Sequence, residues 1–103
     1  MSASVLREVE HYMSEALGDT VRIESSNNVG GGCINHASKL QTTAGTWFLK
    51  WNAHCPSDMF EREAEGMNEL GRAANGGLRI PEVLCHKAPD HTPGFLVMEY
   101  LPP

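Results

Sequence analysis

Four groups of residues, in a fixed order along the chain, have the types needed to hold a phosphate-bearing ligand. The first is Gly30-Gly31-Gly32. Without a Cβ, such a backbone approaches a phosphate closely, takes positive φ and turns its amides toward an anion; by itself the triplet reads equally as a flexible hairpin loop. The second is Lys50, near the end of the apolar run Thr46-Trp47-Phe48-Leu49-Lys50-Trp51. On the cleft side of a strand its ammonium would reach phosphate oxygens, although a lone surface lysine has the same signature. The third is Glu63, three residues after Phe60 and four before Met67 on the apolar side of a helical pattern. A carboxylate buried there is costly unless a cation reaches it. Lys50 is the candidate cation, and a partly exposed glutamate beside the solvated Glu61 and Glu65 is the plainer alternative. The fourth is Phe95-Leu96-Val97-Met98-Glu99-Tyr100-Leu101, an apolar run that leads into Pro102-Pro103.

The elements that must position these residues follow from periodicity. Residues 4–17 carry Val5, Leu6, Val9, Tyr12, Met13, Ala16 and Leu17 on one helical stripe, with Gly18 as the stop. Alternation from Val21 predicts a strand running into the glycine triplet, and Cys33–Thr42 a second strand. After the turn Thr43-Ala44-Gly45 comes a third strand over Thr46–Trp51. A helix starts near Ser57 or Asp58, where Asp58 and Glu61 have capping-box spacing. Its apolar face is Phe60, Ala64, Met67 and Leu70 or Gly71, and it ends in Ala73–Gly77. Pro81 opens a strand over Glu82–His86, Lys87–Gly94 is a loop, and Phe95–Leu101 is a strand buried inside the sheet. These predict an α+β fold: a five-stranded antiparallel sheet with an N-terminal helix and one further helix, the simplest layering having a helix on one face.

The composition excludes several classes. At 103 residues the chain suits one domain. Its net charge of −5 and lack of any Lys/Arg block argue against a nucleic-acid partner. No apolar run reaches the length of a membrane span, and the charged start does not resemble a signal peptide, so no membrane partner is expected and the cytoplasm is the expected compartment. Three cysteines, Cys33, Cys55 and Cys85, leave one unpaired in any disulfide scheme, which fits reduced thiols.

Glycine loop, strand lysine, helix glutamate, apolar strand and linker together match the plan of a protein-kinase-like N-terminal lobe. No Gly-Lys-Ser/Thr follows the glycines, so the loop is not a P-loop of the NTPase type. The chain further resembles the fructosamine kinase (ketosamine 3-kinase) family, within the aminoglycoside-phosphotransferase-like group. The resemblance rests on Gly30-Gly31-Gly32-Cys33-Ile34-Asn35, Phe48-Leu49-Lys50-Trp51-Asn52, Met59–Ala64, Ile80-Pro81-Glu82-Val83 and Phe95–Leu101. It implies that residues 1–103 form an ATP-binding lobe, with a leading helix over 1–18, a sheet over 21–101 and an αC-type helix near 57–73. It also implies that Gly30, Gly31, Gly32, Cys33 and Ile34 cover the ATP phosphates, and that Lys50 contacts the α- and β-phosphates while Glu63 holds it. Met98 would then limit the depth beside adenine, and the Glu99 carbonyl and Leu101 amide would bond the adenine edge. The implied reaction is ATP-dependent phosphorylation of the sugar 3-hydroxyl of a glycated amine, a deglycation repair. Asn35 replaces the last glycine of the protein-kinase loop pattern, as in the small-molecule kinases. No His-Gly-Asp segment occurs in this chain. The catalytic aspartate and the Mg2+ ligands are therefore expected in a C-terminal lobe that this chain lacks, and the chain alone is expected to be inactive and to bind ATP weakly. Two alternatives remain at this level: a related kinase for an aminoglycoside, choline or homoserine, and a non-catalytic nucleotide-binding or interaction module. An isolated lobe would also expose apolar surface and self-associate.

Cys33-x-x-His36, His54-Cys55 and Cys85-His86 could be assembled into a zinc site on paper, but none has the paired C-x-x-C spacing, and no metal site is expected. Cys33 itself has two readings: a thiol made redox-sensitive by the loop amides, or a small residue facing the sheet. If the first holds, oxidant produces a slower, cross-linked band on non-reducing gels that Cys33→Ser abolishes; identical mobility of the two proteins ends it.

Overall fold

The computed structural model describes residues 3–29, 36–73 and 80–102. The first helix, α1 (Ala3–Leu17), turns Val5, Val9 and Met13 inward at i, i+4 spacing. It ends where the periodicity predicted: Gly18 has φ 73°, and its amide donates to the Ser14 carbonyl at 2.9 Å, a left-handed cap that glycine adopts without strain. Ala16 and Leu17, which the pattern placed on the same stripe, are exposed. Val21 fills the core at that end instead. Two side chains fasten the helix to the strand that follows. Glu10 Oε2 accepts the Ile23 amide at 2.6 Å, and Ser14 Oγ accepts the Val21 amide at 2.9 Å.

Strands β1 (Ile23–Asn28), β2 (His36–Thr42) and β3 (Gly45–Asn52) form the expected meander. Gly45, at φ 101°, makes the tight turn, and Thr42 Oγ1 closes it by accepting the Ala44 amide and donating to the Gly45 carbonyl. Helix α2 (Met59–Ala73), β4 (Val83–Lys87) and β5 (Gly94–Glu99) follow. All pairings are antiparallel and the strand order is β1-β2-β3-β5-β4, so the last strand lies inside the sheet.

The layering differs from the simplest expectation, because helices cover both faces. Phe95 and Val97 of β5 join Leu40, Leu49 and the α1 residues in one core. Leu96 and Met98, pointing the other way, join Phe60 and Ala64 of α2 in a second. This explains why β5 is an unbroken apolar run rather than an alternating one. In α2 the expected stripe is realised by Phe60, Ala64 and Met67, whereas Leu70 is 58% exposed and takes no part in that core. The Asp58 carbonyl accepts the Arg62 amide as an N-cap; the Asp58 carboxylate pairs with Arg62 at 3.6 Å.

Lys87 belongs to β4 rather than to the loop, and it is buried. Its ammonium donates to Asp90 Oδ1 at 2.9 Å, Thr92 Oγ1 at 3.0 Å and the Ala88 carbonyl at 3.2 Å, with Glu8 of α1 at 3.9 Å. A buried ammonium is tolerable only with such a ring of oxygens. Among the described residues no helix is long and apolar enough to cross a membrane.

Phe95 is fully buried between α1 and the sheet, with Tyr12 edge-on at 5.2 Å. Phe95→Ala should therefore lower unfolding free energy by about 3–5 kcal/mol in urea titrations. The Thr92 amide, then the Lys87 ammonium and the Thr92 hydroxyl hold the Asp90 carboxyl well below its ordinary value of 3.8. Its folded pKa is depressed, so the stability it contributes is present above the ordinary value and is lost as pH falls toward the folded one. Asp90→Asn should flatten the acid limb of a stability–pH profile below about pH 4.

Candidate functional site

Alternation along β3 sends Trp47, Leu49 and Trp51 toward α1 and leaves Phe48 and Lys50 on the α2 side. Lys50 stands in register with Ala37 of β2 and Leu96 of β5. On the helix, Phe60 and Ala64 seat against Leu96 and Met98, and this docking carries Glu63, one turn beyond Phe60, to the lysine. The Lys50 ammonium and Glu63 Oε1 form an ion pair. Their side chains remain 32% and 25% exposed. Water still reaches the pair, so it contributes little to stability. Its main effect is to fix one ammonium on the open face, where a lysine has three donors and the Glu63 contact uses one.

Beside this pair lies a pocket of about 480 Å³, lined by Val29, Phe48, Pro81, Met98, Glu99, Tyr100 and Leu101. Its size falls in the range of small-molecule sites. Phe48 and Met98 are register partners and form its floor. Phe48 precedes Lys50 by two residues on the same face, about 7 Å along the strand. A flat apolar group in the pocket would thus have a cation beyond one end. A second groove of about 410 Å³ lies by the end of α2, lined by residues such as Met67, Arg72 and Ile80, and it contains none of the predicted site residues.

The glycine loop, Gly30, Gly31 and Gly32 with Cys33 and Ile34, lies outside the described residues. Its flanks do not: the Val29 amide donates to the Ala37 carbonyl at 3.0 Å, and Ala37 is the register neighbour of Lys50. The two chain ends that the loop joins therefore stand next to the lysine.

At the other end of the pocket the structure corrects the expected strand. β5 stops at Glu99 instead of reaching Leu101. The Glu99 amide donates to the Glu82 carbonyl at 2.8 Å, and its carboxylate accepts the Glu82 amide at 2.9 Å. Tyr100 then leaves the ladder, with its ring 4.7 Å from the Lys39 ammonium, and Leu101 is restricted by the proline after it. Met98, Glu99 and Leu101 all line the pocket, and among the described residues the Leu101 amide has no hydrogen-bond partner.

Sequence reasoning did not single out Val29, Phe48, Pro81 or Tyr100. Phe48 was within reach of the alternation rule, being two residues from Lys50. The other three come from different connections and meet only in the folded chain. Cys85 is pushed up to about 12 by burial, and burial also raises Cys55, partly offset by a backbone hydrogen bond. Both are therefore poor thiolates. Among the described residues no group of three or more His, Cys, Asp and Glu is placed to hold a metal ion.

Comparisons with known proteins agree with one another. The family model described as fructosamine kinase matches residues 5–103. A chloroplastic protein-ribulosamine 3-kinase of Arabidopsis thaliana is 37% identical over 86 residues, covering 82% of this chain and 25% of that protein. A Synechocystis protein named a probable ketoamine kinase is 32% identical over 94 residues, covering 90% of this chain and 30% of the relative. In fold, the chain resembles the crystal structure of a Haemophilus somnus protein assigned as a fructosamine-3-kinase, with a TM-score of 0.78 at 21% identity over 91% of this chain and 31% of that one. The chain thus spans between a quarter and a third of the length of these relatives. With the model match running over nearly its whole length, the chain belongs to the fructosamine kinase family.

Proposed function

We propose that this chain is the ATP-binding lobe of a kinase that phosphorylates the sugar 3-hydroxyl of a glycated amine. The observation that carries the reading is the ammonium of Lys50, held by Glu63, standing beside an apolar pocket floored by Phe48 and Met98. The pocket accepts the flat face of adenine. The Leu101 amide and Glu99 backbone meet its edge, and Met98 sets its depth. Lys50 lies where the α- and β-phosphates would extend, and the loop Gly30–Ile34 would cover them with backbone amides. Bound ATP supplies the transferred phosphoryl group. The residues here orient its base and neutralise part of its charge; the aspartate that accepts the hydroxyl proton and the carboxylates that hold Mg2+ would come from the part of the relatives that this chain does not match.

The sugar-amine substrate is supported by the family and by the names of the relatives rather than by residues of this chain, because the substrate would contact mainly that other part. The cytoplasmic placement is kept as part of this proposal, while the Arabidopsis relative carries a chloroplast name.

Calorimetric titration tests the nucleotide reading. ATP should bind this chain weakly, and Lys50→Met should reduce affinity about tenfold or more, the size of a lost charge-assisted hydrogen bond. Unfolding free energies should change by no more than about 1 kcal/mol, with Glu63→Gln affecting binding less than Lys50→Met. Unchanged ATP affinity in Lys50→Met refutes the site. This chain alone should not phosphorylate a ribulosamine or fructosamine, and robust turnover by it would overturn the division of labour described here.

A further inference from the structure

We infer that Lys39 and Tyr100 form a clasp that sets the segment following β5 against the pocket, making Lys39 a positioning residue for the flat ring of the ligand; this rests on the ATP reading above. Lys39 stands on the α2 side of β2, in register with Phe48, which is in turn in register with Met98. One row across the sheet therefore runs from Lys39 under the pocket floor. Lys39 and Lys50 are diagonal neighbours on that face, about 7–8 Å apart at their backbones, yet they are held differently. Lys50 has the Glu63 carboxylate. Lys39 has no carboxylate partner among the described residues, and its ammonium lies 4.7 Å from the centre of the Tyr100 ring.

The direction of the chain fixes what this contact can do. Lys50 is level with Leu96, whereas Tyr100 lies two residues beyond Met98 in the opposite sense. The clasp is thus at the end of the pocket away from the phosphate-side lysine, and Lys39 reaches toward the ring end. Glu99 is the last residue of the ladder and is fastened to Glu82 on the β4 side. Tyr100 is the first residue without a ladder partner, and the cation under its ring supplies the tie on the β2 side. The segment is held from both edges of the pocket, and Leu101, whose amide has no partner among the described residues, follows immediately. Released from Lys39, the Tyr100 backbone would be free to rotate and would carry that amide away from the edge of the base.

The test separates base from phosphate. Adenosine, ATP and inorganic tripolyphosphate are titrated into the wild-type chain, Lys39→Met, Lys39→Arg, Tyr100→Leu and the Lys39→Met/Tyr100→Leu double variant. A partly exposed cation–π contact predicts about a two- to five-fold loss of adenosine and ATP affinity in Lys39→Met and in Tyr100→Leu. Tripolyphosphate affinity should not change, the double variant should lose no more than either single one, and Lys39→Arg, which also stacks on an aromatic ring, should restore binding. A fall in tripolyphosphate affinity would make Lys39 a direct anion contact and overturn the inference. So would a loss that tracks a lowered thermal midpoint and is not rescued by arginine. Full adenosine affinity in Lys39→Met overturns the clasp and leaves the ATP reading standing, while a wild-type chain that binds neither ATP nor adenosine overturns both.

Discussion

The two-sided burial of β5 is the constraint on which the rest of the structure depends. Phe95 and Val97 are claimed by α1, and Leu96 and Met98 by α2, so a strand of six residues joins two otherwise separate cores. Each face needs a helix, because an apolar sheet face left in water would forfeit the burial that drives folding. Once α2 is seated on Leu96 and Met98, its angular position is set, and with it the direction in which Glu63 points. The same alternation that buries Met98 places Phe48 beside it and Lys50 two positions on. The ion pair and the pocket are therefore consequences of how one strand is packed.

The electrostatics follow the same economy. Two lysines on this chain are held by carboxylates in very different surroundings. Lys87 is buried and ringed by Asp90, Thr92, Ala88 and Glu8, which ties the β4–β5 loop to α1. Lys50 keeps a third of its side chain in solvent and has one carboxylate partner. The first arrangement uses up the ammonium in holding the fold. The second leaves donors available on a concave face, which is what an anion site requires. A lysine's sequence neighbours do not separate these two cases; burial does.

Much of this was legible beforehand because it depends on local pattern. The stripe of α1, the stop at Gly18, the turn at Gly45 and the interior place of β5 each follow from periodicity or from a backbone requirement of glycine. Lys50 and Glu63 were joined in prospect because a carboxylate on the apolar side of a helix needs a cation, and Lys50, near the end of an apolar strand, was the candidate. Apart from the one-face layering, what failed did so at ends of elements. Leu17 and Leu70 match their stripes, yet both stay exposed in the last turns of their helices. Leu101 continues an apolar run, but the ladder has already given way to Tyr100 and the coming prolines.

The sequence by itself determined the elements, their order, the kinase-like plan and the identities of the cation and carboxylate, since these rest on spacing along one chain. Only the tertiary structure decided that helices lie on opposite faces, that Val29, Phe48, Pro81 and Tyr100 join Met98, Glu99 and Leu101 around one pocket, and that Lys39 meets Tyr100. The reason is physical: those contacts are set by which strand edges meet and by the handed alternation of side chains across the sheet. Register between residues as far apart as Lys39, Phe48 and Met98 has no signature in local order.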